Sequence, residues 1–330
     1  MRTAHLGVLA GLAAAVLAGA ARAAPEPPKL GFPLACQIGR TCEIQHYVDR
    51  DPGPGVRDYR CGRRTYQGHS GVDIRILDMA AEHAGVAVLA AAPGRVTRLR
   101  DGVQDISIRA PGAPPLNGQD CGNGVVIDHG GGWETQYCHM ARGSLIVKAG
   151  DLVAAGQPIG KVGLSGNTEF AHMHLTVRHA GQVIDPFAPD MSQPMACAAQ
   201  TPLWTAQARQ QMAYKAGAIL NVGFAGGPVT QDAVEAGGIP PVNANSPWIV
   251  PYARAIELEA GDVIEIALTG PGGLTLSAKT PPLDHDKAQF TDFIGKRRPP
   301  AGWPAGVYTA VVRVHRAGAV AIERRFETRL

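Results

Sequence analysis

The chain has 330 residues, 45% hydrophobic and 18% charged, which gives room for two ordinary domains and excludes a compositionally disordered protein. Its 31 Lys and Arg against 28 Asp and Glu give a formal charge of +3, which falls to about +1 when Arg2 and Arg22 of the leader are subtracted, so no nucleic-acid partner is implied. With 41 Gly, 26 Pro and 5% aromatics, short strands and turns are favoured over long helices.

Residues 1–23 read as a signal peptide. Arg2 precedes an apolar run from Leu6 to Ala20, and Ala21-Arg22-Ala23 forms a small-x-small cleavage site, which predicts a mature start at Ala24. The run is shorter than the roughly 20 residues that span a bilayer, so no stable membrane anchor is expected after cleavage and the protein is read as exported, periplasmic or secreted. Residues 24–60 form an N-terminal segment with a Pro-rich spacer, an apolar patch from Ile44 to Val48, and two cysteines that suggest a disulfide tether.

From Tyr66 to Phe187 the pattern is one of short strands punctuated by glycine. The expected strands are Val72–Ile76, Gly85–Ala91, Gly94–Arg100, Gly124–Asp128, Trp133–Met140, Leu152–Val162 and His172–Arg178. A Gly- and Pro-rich insertion, Asp101 to Asp120, reads as a surface loop. Residues 61–198 are taken as one domain and 199–216 as a helical linker, with a short helix within Thr201–Ala216. Residues 217–330 contain further strands, Ala218–Phe224, Trp248–Leu258, Asp262–Thr269, Gly273–Ala278, Gly306–His315 and Ala319–Thr328, whose spacing suggests an immunoglobulin-like β-sandwich.

The six cysteines suit an oxidising, exported environment, and no C-x-x-C pair is present. Cys121 and Cys138 flank the hairpin expected around Gly130-Gly131-Gly132, which predicts a bridge worth on the order of 3 kcal/mol by loop closure. Cys36, Cys42, Cys61 and Cys197 allow three pairings that the sequence leaves open.

Three segments carry chemistry. In Ala171-His172-Met173-His174-Leu175, strand alternation puts both imidazoles on one face, with Met173, Leu175 and Val177 on the other. Gly68-His69-Ser70-Gly71-Val72-Asp73 places a His and an Asp on a loop entering a strand. In Tyr137-Cys138-His139, alternation puts Tyr137 and His139 on a common face with Cys138 opposite. His129 and His179 lie near these motifs, and surface or structural roles are expected for them. Together the segments supply a donor set of the kind that zinc requires, since catalytic zinc takes three protein ligands and leaves a position for water.

The span from about Tyr66 to Phe187 resembles the lysostaphin/LytM-type zinc peptidoglycan endopeptidases, a family with H-x-x-x-D and H-x-H motifs. Further matching pieces are the Asn123–Gly130 strand, Tyr137-x-His139, Val147–Gly160 and Ser165-Gly-Asn167. The resemblance implies an all-β fold: an antiparallel β-sheet peptidase domain of the LytM/duplicated-hybrid type, here followed by the C-terminal sandwich. It implies one Zn2+ held by His69, Asp73 and His174, with His139 and His172 as catalytic groups that do not bind it. Zinc would then polarise the scissile carbonyl and the attacking water, while the two free imidazoles handle the water's proton and the oxyanion. Ala171 and Leu175 stand where the family usually has proline and phenylalanine, and Met140 where leucine is common; these are packing changes beside the site.

The implied function is an exported zinc metalloendopeptidase acting on the peptides of bacterial cell-wall peptidoglycan. The alternative is a catalytically silent LytM-like regulator that binds and activates other wall hydrolases. Such members typically lack one or more zinc ligands, whereas all five site positions are filled here. The sequence names no protein partner.

Overall fold

A computed structural model describes residues 26–330, so the signal peptide expected at 1–23 lies outside the described residues. The first part of the chain forms strands β1 (Cys42–His46) and β2 (Val72–Ile76), helix α1 (Met79–Ala84), then β3 (Ala87–Leu89), β4 (Gly94–Arg100), β5 (Asn123–Gly130), β6 (Trp133–Met140), β7 (Leu152–Val153), β8 (Pro158–Lys161), β9 (His172–His179) and β10 (Gln182–Ile184). An antiparallel sheet runs β1-β2-β9-β6-β5-β4-β7, with β10 added beside β9 and the β3-β8 ribbon separate. The expected run Leu152–Val162 is two strands rather than one, because Gly156 turns the chain at φ 77° between β7 and β8.

Register explains how this sheet builds a site. His46 lies opposite Asp73, Asp73 opposite His174, and His174 opposite Cys138, so these residues form one row across β1, β2, β9 and β6. Residues directly opposite each other share a face. The neighbouring rows, Val72–Leu175–Tyr137 and Ile74–Met173, take the other face, which carries the apolar core. That core also buries Leu30, Leu34, Ile44 and Tyr47 from the N-terminal segment, and Leu203, Trp204, Ala208 and Met212 from the segment after β10. Cysteines pair as Cys36–Cys42, Cys61–Cys197 and Cys121–Cys138. The hairpin β5–β6 closes on Gly131 and Gly132 with φ of 61° and 82°, a turn that needs positive φ at both positions.

The described residues are not all-β. Besides α1 there are α2 (Ala206–Gln211) and α3 (Gln231–Ala236), each of six residues, so the class is mixed and mostly antiparallel β. Each helix starts on a side-chain cap: Asp78 accepts from Ala81 N–H, Thr205 from Ala208 N–H and Thr230 from Ala233 N–H. Helix α2 falls within the short helix expected in Thr201–Ala216, whereas α1 and α3 lack the span for a readable helical period. None of the described helices is long and apolar enough to cross a membrane.

The remaining strands are β11 (Ala218–Ala225), β12 (Trp248–Leu258), β13 (Val263–Gly270), β14 (Leu274–Lys279), β15 (Lys287–Phe293), β16 (Lys296–Arg297), β17 (Val307–Arg316) and β18 (Ala319–Arg329). They form two antiparallel sheets, β11-β12-β15 with β16 beside β12, and β14-β13-β17-β18. Ile249, Ala253 and Leu258 from the first sheet and Ile266, Leu268, Tyr308 and Val312 from the second share one apolar core.

Against β1 and β2 this part of the chain docks through polar groups. Arg75 of β2 and Arg254 of β12 are both fully buried, and both pair with Glu235 of α3. Arg75 also donates to Gln289 Oε1 of β15 at 2.9 Å, and Arg254 to the Leu77 carbonyl. Two buried guanidiniums depend on one carboxylate, and removing it leaves both charges uncompensated. Glu235→Ala is therefore expected to lower unfolding free energy by about 3 kcal/mol in denaturant titration; an unchanged midpoint would contradict this account of the docking.

Candidate metal centre

His69 sits in the loop entering β2, where Gly68 at φ 74° and a His69 N–H to Tyr66 carbonyl bond of 3.0 Å make a tight turn. Its Nδ1–H donates to the Tyr47 carbonyl at 2.6 Å, which leaves Nε2 as a lone pair aimed at the site. His174 places Nε2 at 2.9 Å from the Thr176 hydroxyl and Nδ1 at 2.8 Å from Asp73 Oδ1. His69 Nε2 lies 3.2 Å from His174 Nδ1 and 3.2 Å from Asp73 Oδ2. His69, Asp73 and His174 each offer a ligand atom, and these atoms lie within 4.8 Å of one another.

Two imidazole nitrogens and a carboxylate converging on one point fit a divalent cation of borderline softness such as zinc. The backbone carbonyl and hydroxyl behind the two rings are the orienting partners that such ligands need. Gly71 makes room for the arrangement, because a Cβ there would stand 2.5 Å from His174 Nε2 and 2.6 Å from the Leu175 carbonyl oxygen.

The other two histidines of the motifs adjoin this cluster. His172 follows the expected alternation, and its Nε2 is 3.4 Å from Asp73 Oδ1 while Nδ1–H donates to the Phe170 carbonyl at 2.9 Å. His139 reaches the same side by a different route. Simple alternation would put it with Tyr137, but Tyr137 is fully buried on the core face, where its hydroxyl accepts from Ala91 N–H at 2.7 Å. The register of β5 and β6 shifts between Asn123 and Val125, and His139 takes φ 60°. That irregularity turns its ring to the site face, 4.6 Å from the His172 ring. Its Nδ1–H donates to the Ser165 carbonyl at 2.8 Å, and Ser165 Oγ–H is anchored on the Met140 carbonyl at 2.7 Å. Both rings thus hold Nδ1 on a backbone carbonyl and turn Nε2 to the site, where that of His172 faces Asp73.

Electrostatics follow from burial. Asp73 would be raised by desolvation, but the charges of His69 and His172 and hydrogen bonds from His172 and His174 hold it well below the usual carboxylate range. Burial, with His172 and His174 alongside, pushes His139 well below the ordinary imidazole value, so it is neutral and can accept a proton at neutral pH. Burial likewise lowers His174, the state a metal ligand needs.

One residue of the site escaped the sequence reading. His46 lay inside the apolar patch Ile44–Val48, yet its Nδ1 is 3.0 Å from Asp73 Oδ2 and its ring is 5.7 Å from that of His69. Burial would lower its pKa, but hydrogen bonds with Asp73 and Glu257 raise it to about 9. Parity within β1 and its partner across the sheet are long-range facts, so no local signal marked it. His129 and His179 stand apart: His129 bonds the Pro93 carbonyl and Thr135, and His179 stacks on Trp133 at 4.3 Å.

A groove of about 510 Å³ crosses β4, β5, β6 and β9, lined by Arg98, Arg100 and Arg178 with Glu134 as an acidic member. Arg98, Val126, Gln136 and Thr176 lie in one cross-strand row, so the groove shares the sheet face that carries His174.

Residues 67–186 match the family model described as Peptidase family M23. This segment has the fold of the M23 family and is homologous to it. It is 33% identical over 97 residues to the cell division protein DipM of Caulobacter vibrioides, covering 26% of this chain and 16% of that one. To the peptidoglycan DD-endopeptidase ShyB of Vibrio cholerae it is 33% identical over 70 residues, covering 21% and 16%. This chain thus spans 16% of the length of each of these two curated relatives. Among solved structures, the catalytic domain of the antimicrobial peptidase lysostaphin from Staphylococcus simulans is 21% identical, covering 43% of this chain and 85% of that one, with a TM-score of 0.28.

The close approach of Gly71 to His174 can be tested by substitution. Gly71→Ala should displace His174, lowering the melting temperature by the equivalent of about 1–3 kcal/mol of overpacking and weakening metal uptake; wild-type zinc stoichiometry and melting in this variant would show that His174 has space to move.

Proposed function

We propose that the protein is an exported zinc metalloendopeptidase that hydrolyses peptide bonds in cell-wall peptidoglycan. The observation that carries this is the convergence of His69 Nε2, Asp73 and His174 Nδ1 within 4.8 Å, with two further imidazoles beside them, inside an M23 domain. In this reading His69, Asp73 and His174 are the ligands of a single zinc. The bound ion would supply Lewis acidity for the scissile carbonyl and the attacking water. His139 and His172 supply proton handling from Nε2. His139, neutral and held by Ser165, accepts or returns a proton at Nε2, and His172, held on Phe170 through Nδ1–H, donates from Nε2 to the developing oxyanion in its doubly protonated form or exchanges that role with His139. The three disulfides and the leader motif favour export. The arginine-lined groove favours a peptide that bears carboxylates.

The proposed organisation is a signal peptide over 1–23, an N-terminal segment over 24–60, the peptidase over 61–198, a linker over 199–216 and an immunoglobulin-like sandwich over 217–330. Two features support the last assignment. The seven main strands divide over two sheets as β11-β12-β15 and β14-β13-β17-β18. At the start of β17, buried Tyr308 donates its hydroxyl to the Pro304 carbonyl at 2.9 Å, the bond of a tyrosine corner.

The function is tested by incubating purified mature protein with bacterial sacculi, with and without a chelator, and identifying the new amino termini. Wild type should release peptide-cleaved fragments, and the chelator should abolish release. His174→Ala should lose zinc, whereas His172→Ala and His139→Ala should keep it and lose turnover by about 10²–10⁴-fold. Undiminished cleavage by the zinc-free His174→Ala protein, or no new amino termini with zinc-loaded wild type, would refute the proposal.

A further inference from the structure

The C-terminal domain reaches the metal centre through a single carboxylate. Glu257, near the end of β12, has side-chain atoms within bonding distance of two consecutive residues of β1. Gln45 Nε2 donates to Glu257 Oε1 at 2.6 Å, and His46 Nε2 stands 3.3 Å from the same oxygen. Consecutive strand residues normally point to opposite faces, but β1 shifts register between Ile44 and His46, and this bulge lets both reach one partner. The other nitrogen of His46, Nδ1, is 3.0 Å from Asp73 Oδ2. All three side chains are shielded from solvent, at 11%, 12% and 4% exposure for Glu257, His46 and Asp73. Glu257 itself takes φ 55°, a left-handed conformation that a non-glycine residue rarely adopts within a strand. Strain of that kind persists where surrounding structure enforces a particular aim.

We infer that Glu257 and His46 are positioning residues of the metal centre, forming a carboxylate–imidazole–carboxylate relay through which docking of the C-terminal domain fixes the orientation of Asp73. The inference rests on Asp73 being a metal ligand. Oδ1 of Asp73 faces His174 and His172, and Oδ2 is held by His46, so the plane of the carboxylate is set from both sides. Without His46 the carboxylate loses the ring that holds Oδ2 from the β1 side, leaving only His69 on that oxygen; without Glu257 the imidazole loses the partner behind it. The C-terminal domain therefore acts as part of the active-site scaffold, whatever else it binds. Partners behind metal ligands typically change metal affinity by about 10–100-fold when removed.

The test is the zinc affinity of full-length mature protein, measured by competition with a chromophoric chelator, alongside the melting temperature of the metal-free forms. Glu257→Ala and His46→Ala should bind zinc about 10–100-fold more weakly. Glu257→Gln keeps the shape and an acceptor oxygen, so it should recover part of the affinity, and it tests the relay even where Glu257→Ala fails to fold. Arg63→Ala serves as the interface control, because it cuts the 2.9 Å Arg63–Asp286 ion pair across the same two domains without touching the relay. Its zinc affinity should match wild type. Wild-type affinity in the Glu257 and His46 variants overturns the relay alone, as does a loss in Arg63→Ala equal to that in Glu257→Ala. A wild type that takes up no zinc overturns the metal centre and the relay with it.

Discussion

Everything at the site depends on one buried carboxylate. Asp73 has 4% of its side chain exposed, and an isolated ionised group at such a position would be heavily penalised. The fold compensates it with imidazoles from two strands and a loop: His46 on β1, His69 before β2, and His172 and His174 on β9, at 2.8 to 3.4 Å. Each of those rings is then oriented by a second partner, Glu257, the Tyr47 carbonyl, the Phe170 carbonyl and Thr176 respectively. Ligand atoms of His69, Asp73 and His174 lie within 4.8 Å of one another, close enough to hold a metal ion.

Cross-strand register is what makes this possible. Because residues opposite one another share a face, a single row across the sheet collects donors that are distant in sequence, and the adjacent rows build the core that holds the strands in place. The same geometry puts Arg98 of the groove in a row with Val126, Gln136 and Thr176, on the sheet face that carries His174. Two departures from regular pairing then add what the row alone cannot: the shift before Val125 brings His139 over the site, and the shift before His46 brings Gln45 and His46 together onto Glu257.

Legibility in the sequence tracks the range of the interaction. His172 and His174 were readable because a period of two survives in β9, and His69 and Asp73 because a glycine-flanked loop leads straight into an alternating strand. The side chosen by His139 was not, since a bulge breaks parity without leaving a local mark. His46 was hidden for the same reason, and its partner Glu257 lies 212 positions from Gln45. Strand β15, Lys287–Phe293, was missed because its half-exposed residues weaken the alternation, yet it supplies Gln289 to Arg75. The polar docking of α3 and β12 onto β2 carries no sequence signature at all, because Arg75, Arg254 and Glu235 are charged residues that look like surface positions until the fold buries the two arginines.

The most direct test of the central claim is a crystal structure of the protein as purified, with anomalous data collected on both sides of the zinc absorption edge. The account predicts one anomalous peak within bonding distance of His69 Nε2, an Asp73 oxygen and His174 Nδ1, with His46, His139 and His172 beyond that distance. A peak bonded to His139 or His172 in place of one of the three, or fully purified and active protein with no metal peak between them, would contradict it.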